Sequence, residues 1–362
     1  MLKRVELIIV ACLYYSGWVR LACWWKQRSG QSLVILNYHR ASGGNMRQHV
    51  LYLRRHYRLL HLETALEELY ASHKDGPQRK DRRTPLVLTF DDGNHDNYTH
   101  AFKLAQELQI PITMFLIPGY IHSRRRFWWL EGDHLVSHAQ VSEATVEGHI
   151  YRIAKLAEQK ALAQAIDARV RHAASVPERE AFLVSTRKAL ADSSSAIAEE
   201  QATSPLTWTE VQEMEASEWI SFGAHTMHHP ILAYLTDPPE VQYEVSESRA
   251  VVERHLGHPV RIFAYPVGQF EHIGENAFRA VQKAGYDWAV TSIYGFNTPQ
   301  TDPYLLRRIV VDADQHWLSV AAKASGVWGI FSRLYQVPRT LLQHLRNSVP
   351  YLDLSHRPHF PT

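Results

Sequence analysis

Cysteine is almost missing from this chain: of 362 residues only Cys12 and Cys23 are cysteines, and both lie near the amino terminus. The rest of the chain therefore has no disulfide framework, no cysteine-based zinc site and no thiol nucleophile. Charge of one sign is missing too. The 39 basic and 37 acidic residues leave a formal net charge of +2, which gives no electrostatic reason to expect a nucleic-acid partner. No apolar run reaches the roughly 20 residues that a bilayer-spanning helix needs. The longest, residues 5–19, has about 15 apolar-rich positions and includes Glu6. No clear small-residue cleavage site follows it, which argues against an ordinary signal peptide. "IVAC" at 9–12 resembles a lipoprotein cleavage box only superficially, because the apolar core before it is too short. There is no internal repeat and no low-complexity tract.

What is present fits a packed core. Hydrophobic residues make up 45% and aromatics 11%, and the length suits one large α/β domain with insertions or two modest domains. The 22 histidines exceed the average and leave room for metal chemistry. Residues 1–30 run from basic to apolar to basic. Trp18, Trp24 and Trp25 beside Lys26 and Arg28 suit a helix held at a membrane interface. The competing reading is an amphipathic helix packed on the protein's own body. We expect a membrane-associated helix over 1–30, at a bacterial inner membrane, with the cytoplasmic or periplasmic side open.

Beyond residue 30 the pattern alternates. Strand-like runs at 31–41, 86–90, 112–118, 219–225, 260–266, 287–292 and 307–311 are separated by helix-like ones at 46–60, 62–73, 98–108, 207–217, 238–256 and 274–285. Strands alternating with helices indicate parallel βαβ units, and six to eight of them favour a barrel over an open sheet. Residues 138–202 break the alternation, carry no strand pattern and are rich in Ala, Glu, Gln, Lys and Arg; they read as a helical insertion. Residues 326–362 read as an amphipathic helix with aromatics and arginines, then a loose tail. The main domain is accordingly expected over 31–325.

Two stretches carry chemistry. In "PLVLTFDDGNHDN" (85–97) an apolar strand runs into Asp91 and Asp92, adjacent like charges that are costly to bury unless something pairs with them. Alone, this reads as a turn, since Asp-Gly is common turn chemistry. In "SFGAHTMHHP" the strand is followed by His225 and His229, whose spacing lets both share one face of a helical turn and reach one metal; His228 is adjacent and ambiguous. Both stretches follow strands at their carboxyl ends, where parallel α/β folds gather their sites. A third strand end, "FAYPVGQF", supplies a turn able to bring backbone N–H groups to a substrate. Two histidines and one carboxylate leave a metal position for water, and the second carboxylate takes the proton.

"TFDDG" followed far downstream by "HTMHH" resembles the polysaccharide deacetylases, the NodB-homology enzymes of carbohydrate esterase family 4. "ILNYHR" and "FAYPVG" look like the branch that includes poly-N-acetylglucosamine deacetylases, and the resemblance spans roughly 33–312. It implies a distorted (β/α)7 barrel and hydrolysis of an N-acetyl group on a glycan. It implies Asp91 as general base, with Asp92, His225 and His229 as ligands of a divalent metal, Zn first, Co, Ni or Fe also fitting. Thr226 matches the family's supporting Ser or Thr, Gly93 the tight turn, and Tyr265, Pro266, Val267 and Gly268 the third motif. In that motif the Val267 N–H faces the oxyanion. The chain departs from the pattern at Ala264, where the family has an arginine orienting the base. Arg261 is a substitute whose offset points it to the other face. Asp287 stands where a family motif is reduced. The late histidine acid is not found, and His39, His95 and His316 are its candidates.

Trp128 and Trp129 either stack on sugar rings or anchor the insertion on the barrel, and Arg124–Arg126 read as a solvated loop. The expected activity is deacetylation of a bacterial surface polysaccharide or its lipid-linked precursor. The alternatives are a deacylase of peptidoglycan or of a lipid-linked formamido sugar, and a glycan-binding protein on an inactive scaffold. Nothing in the sequence indicates the oligomeric state.

Overall fold

A computed structural model describes residues 2–29, 32–71, 81–194 and 202–329. Contacts divide the described residues into a unit within 25–317 and a second unit made of 2–24 with 318–329. The larger unit holds the strands. In chain order they are β1 (Val34–Tyr38), β2 (Arg58–Leu59), β3 (Pro85–Phe90), β4 (Ile112–Leu116), β5 (Glu143–Val146) and β6 (His149–Arg152). They continue with β7 (Ile220–Ala224), β8 (Ile262–Ala264), β9 (Trp288–Val290) and β10 (Ile309–Val310).

Runs such as VILNY in β1 and ITMFL in β4 are buried along their whole length, as expected of parallel strands covered on both faces. The sheet order is β10-β1-β3-β4-β7-β8-β9, every pair parallel. The circuit is completed where Leu306 bridges Val290 in parallel and its N–H reaches the Ala289 carbonyl at 3.0 Å. Seven strands thus form a distorted (β/α)7 barrel. Its interior, including Ile35, Val87, Phe115 and Ile262, forms one apolar cluster with Leu62, Leu66 and Leu69 of the helix Leu62–Tyr70. That helix fills the end where the strands begin. All seven carboxyl ends therefore open on the opposite side.

Three local expectations are corrected. The helix expected over 46–60 stops at His56. Tyr57 is extended, and Arg58–Leu59 pair with Pro85–Leu86 as β2, so a tertiary pairing outweighs a helical composition. The insertion expected to lack strands starts with the antiparallel hairpin β5–β6. Its turn is Glu147-Gly148, both with positive φ, the geometry that suits a two-residue hairpin. Only Ala144 and Val146 of β5 face inward, an alternation too short to stand out among alanines and glutamates. The helices Leu156–Arg171 and Val176–Ala189 follow and share an apolar core with the hairpin. Finally, the segment from His225 through His229 is an irregular loop, not a helical turn.

In the smaller unit, the expected single helix over 1–30 is two helices, Leu2–Tyr15 and Trp18–Ser29, the second running on into the larger unit. They are bent by 61° at a break containing Gly17, whose φ is +89°. No single described helix is long and apolar enough to cross a membrane; the bent pair meets that test together by length and composition. Most of the amphipathic segment expected after residue 326 lies outside the described residues.

Candidate active site

The Asp91 N–H donates to the Tyr38 carbonyl at 2.9 Å, extending the ladder one residue past β3 and aiming the Asp91 side chain into the barrel mouth. There the carboxylate meets Arg308, which is fully buried. Nη1 and Nη2 donate to Oδ1 and Oδ2, each at 2.7 Å, and Asn37 Nδ2 donates to Oδ2 at 3.0 Å. Arg308 is itself fixed by donation from Nε to the Thr291 carbonyl at 2.7 Å. Burial pushes the Asp91 pKa up, but the Arg308 guanidinium more than offsets that, and the group is held well below the ordinary carboxylate value. The geometry keeps Asp91 ionised and fixes both of its oxygens.

Asp92 has no such partner. Burial raises its pKa above the ordinary value, and its Oδ1 lies 3.6 Å from His225 Nε2 and 3.7 Å from His229 Nε2. His225 Nδ1 donates to the Ala264 carbonyl at 2.7 Å, an acceptor only, so Nε2 carries the lone pair that faces Asp92. Burial lowers the pKa of His225 and brings that of His229 well below its ordinary value. Ligand atoms of Asp92, His225 and His229 all lie within 4.8 Å of one another. Three buried side chains able to donate electron pairs converge, an arrangement that suits a divalent cation.

The backbone at this mouth is strained. Asp92 (φ +74°), Thr226 (+65°), His229 (+53°) and Val267 (+58°) are all left-handed without being glycine. For β-branched Thr226 and Val267 this is a marked departure, of the kind that persists where surrounding structure over-determines it. The Thr226 hydroxyl accepts from the His229 N–H at 2.9 Å and so closes the loop between the two histidines. Gly93, at φ +66°, turns the chain after the aspartates, and the Leu206 N–H donates to its carbonyl at 2.9 Å. In the third motif Gly268 is obligatory: a Cβ there would stand 2.7 Å from the Ser292 nitrogen. Val267 is half-exposed, and its N–H donates to no described backbone group. Pro266 is buried. Tyr265 is buried edge-on against Phe263, 5.2 Å between centroids, and so belongs to the packing beneath the turn.

The other residues singled out by sequence fall in different places. Exposed His39 follows β1. Its backbone carbonyl accepts from Asn94 Nδ2 and Asn97 Nδ2, both at 3.2 Å. His95 instead faces Glu210, Nδ1 to Oε1 3.0 Å, and His316 lies beside Trp317 with ring centroids 5.8 Å apart. Arg261 is spent at the other end of β8 on Asp287 and Glu67, 2.6 Å each, so it does not orient the base, and Asp287 is its partner. His228 pairs with buried Glu244, Nδ1 to Oε1 2.7 Å, and turns away from Asp92. The arginines at 124–126 are not merely solvated: Arg124 donates to the Pro205 and Leu206 carbonyls, Arg125 pairs with Glu180, and Arg126 with Glu131. Trp128 is buried in the core of the insertion and Trp129 packs on it, which favours anchoring.

Sequence reasoning missed Arg308 and Asn37. Each is a polar residue inside an otherwise apolar strand-like run, in "LRRIVV" and "VILNY", and that incongruity was the available signal.

A sequence profile of the polysaccharide deacetylase family matches residues 78–289, more than half of the chain. Over 106 residues the chain is 32% identical to YxkH of Bacillus subtilis (strain 168), a protein that carries the polysaccharide deacetylase name; the match covers 29% of this chain and 36% of YxkH. Among solved structures, IcaB from Ammonifex degensii aligns over 82% of this chain and 98% of its own, with 22% identity and a TM-score of 0.52. The Streptococcus pyogenes deacetylase PplD, solved with acetate, aligns over 81% and 98%, with 16% identity and a TM-score of 0.51. At these identities the two structures share the fold.

Proposed function

The chain belongs to the polysaccharide deacetylase family and is a hydrolase of that kind; we propose that it removes N-acetyl groups, with a divalent metal, from amino sugars of a bacterial surface polysaccharide or its lipid-linked precursor. The observation that carries this reading is the unequal treatment of two adjacent carboxylates. Asp91 is neutralised by Arg308, while Asp92 is left facing the Nε2 atoms of two histidines.

Asp92, His225 and His229 would hold the metal, Zn first and Co, Ni or Fe as alternatives, and it would supply a Lewis acid and a water of lowered pKa. Asp91 accepts the proton of the attacking water, and Arg308 and Asn37 keep its oxygens in place for that transfer. The Val267 N–H faces the oxygen of the tetrahedral adduct. His39, at the mouth and within electrostatic reach of both aspartates, returns a proton to the departing amine. The products are acetate and a free amino sugar.

Acetate release from N-acetylglucosamine oligomers, measured with metal content on wild type and Asp91→Asn, tests the reading. Release that follows bound metal and falls at least about 10³-fold in the variant supports it. Metal binding without base-dependent release from any N-acyl glycan refutes it. Formate in place of acetate would move the substrate to a formamido sugar. Against a purely glycan-binding role stands Arg308, which pairs with Asp91 although no arginine is present at Ala264.

The amino-terminal helix pair is proposed to rest on a membrane surface, without a side assigned. Seven of the fifteen exposed large apolar side chains among the described residues lie in it, far more than its length warrants. They fall at helical spacing, Val5, Ile8 and Tyr15 on one helix and Trp18, Leu21 and Trp25 on the next. The second helix carries three basic and no acidic residues, which complements anionic lipid. Sedimentation with phosphatidylglycerol vesicles, lost in a Trp18→Glu/Trp25→Glu variant, is the expected result. Equal sedimentation of the two proteins refutes it.

A further inference from the structure

The two histidines of the site are held in different ways. His225 donates from Nδ1 to the Ala264 carbonyl, a hydrogen bond from the barrel itself that fixes both ring orientation and tautomer. His229 has nothing equivalent: its Nδ1 is buried and has no hydrogen-bond partner among the described residues. A metal-binding histidine normally relies on such a second bond for its orientation. His229 also sits at φ +53°, a left-handed conformation that a non-glycine residue holds only where its surroundings enforce it.

The segment leading into the insertion touches this residue at two points, and the insertion itself reaches the neighbouring residue at a third. Trp128 Nε1 donates to the His229 carbonyl at 2.9 Å, and both groups are buried. The Trp129 ring lies against the His229 ring, 4.6 Å between centroids at 56°, and is backed in turn by Phe127 stacked at 4.6 Å and 6°. From the insertion helix Val176–Ala189, buried Arg179 donates to the His228 carbonyl at 3.1 Å. None of these contacts involves the barrel strands. They restrain the two degrees of freedom that the missing Nδ1 bond would otherwise control, the backbone of the loop and the plane of the ring.

We infer that the insertion, together with the segment 127–129 that shares its core, is the orienting scaffold of one metal ligand: Trp128 and Trp129 are positioning residues that set His229, replacing by packing and a main-chain hydrogen bond what His225 obtains from Ala264. This rests on the reading of Asp92, His225 and His229 as metal ligands. It goes beyond that reading by making metal affinity depend on residues outside the barrel.

The test is metal affinity of the full chain, by chelator competition with Zn²⁺ and by the visible absorption of the Co²⁺-loaded protein. Trp129→Leu is expected to weaken Zn²⁺ binding by about 10–100-fold and to change the Co²⁺ spectrum, and Trp128→Phe to weaken it by about 10-fold. Trp129→Phe, which keeps an aromatic face, is expected to stay near wild type. Phe182→Leu, which loosens the insertion core away from His229, is the control. Unchanged affinity in both Trp129→Leu and Trp128→Phe overturns the inference, as does an equal loss in Phe182→Leu. If Trp129→Leu fails to fold, Trp128→Phe, which keeps the packing and removes only the donor, decides alone. Failure of the wild type to bind any metal would instead sink the metal reading itself, so the two failures are distinguishable.

Discussion

Arg308 is the most informative residue to replace. In Arg308→Met the buried Asp91 carboxylate keeps one described side-chain donor, Asn37 Nδ2 at 3.0 Å, and loses two charge-assisted bonds of 2.7 Å. Leaving one member of a buried ion pair unpaired costs about 3–5 kcal/mol. Asp91→Asn alone leaves the guanidinium buried against an amide and is expected to cost a similar amount. The double variant buries neither charge, so its cost falls well short of the sum, a coupling of several kcal/mol. The pH dependence has a definite sign. In the wild type the depressed Asp91 pKa stabilises the fold above its unfolded value of about 3.9, and that contribution is lost as pH falls through the folded value. In Arg308→Met burial dominates and the folded pKa lies above 3.9, so the penalty is largest at neutral pH and shrinks in acid. Urea unfolding of metal-free protein at pH 8 and pH 5, for wild type, both single variants and the double, measures these terms. A single-variant cost below about 1 kcal/mol, or an additive double variant, refutes the assignment of this pair.

Three further outcomes are expected. Asp92→Asn abolishes the stabilisation by added Zn²⁺, which for wild type reaches about 4 kcal/mol at a thousand-fold excess over Kd; without metal the variant is no less stable, since burial disfavours the Asp92 charge and no buried cation among the described residues is paired with it; melting with and without EDTA reads both. His225 and His229 have folded pKa values below the unfolded value of about 6.5, so metal-free stability is full above that pH and falls as pH drops below it, levelling off once pH passes the folded values; Zn²⁺ affinity falls in the same direction, and a metal-free unfolding series from pH 8 to pH 5 that shows no loss contradicts it. Gly268→Ala places a Cβ 2.7 Å from the Ser292 nitrogen at φ +64°, costs about 1–3 kcal/mol and lowers kcat more than it raises KM, as steady-state kinetics would show.

Much of the barrel was legible because its code is local. Runs such as ITMFL and PLVLTF are apolar throughout, as strands covered on both faces must be, and helices such as Pro238–Leu256 carry their own start and stop signals. The short pieces were not legible. β2 is two residues long and exists only because the start of β3 offers it a partner, and β5–β6 is too short for its alternation to outweigh a helical composition. The histidine spacing suggested a common metal for a reason that does not hold here. His225 and His229 converge across a strained loop closed by Thr226, not along a helical face.

By itself the sequence determined which chemical groups stand at the strand ends: the aspartate pair, the histidine pair and the glycine turn of the third motif. Each is contiguous, and the end of a parallel strand is a place that local pattern specifies. Only the tertiary structure decided how those groups divide the work. Arg308 lies 217 residues from Asp91, and it reaches that carboxylate because β10 closes the barrel beside β1. His229 is met by Trp128, 101 residues away, because the segment that shares the insertion's core packs against the loop. Partners so distant in sequence are chosen by barrel register and by packing at the mouth, and neither is encoded in the few residues around the aspartates.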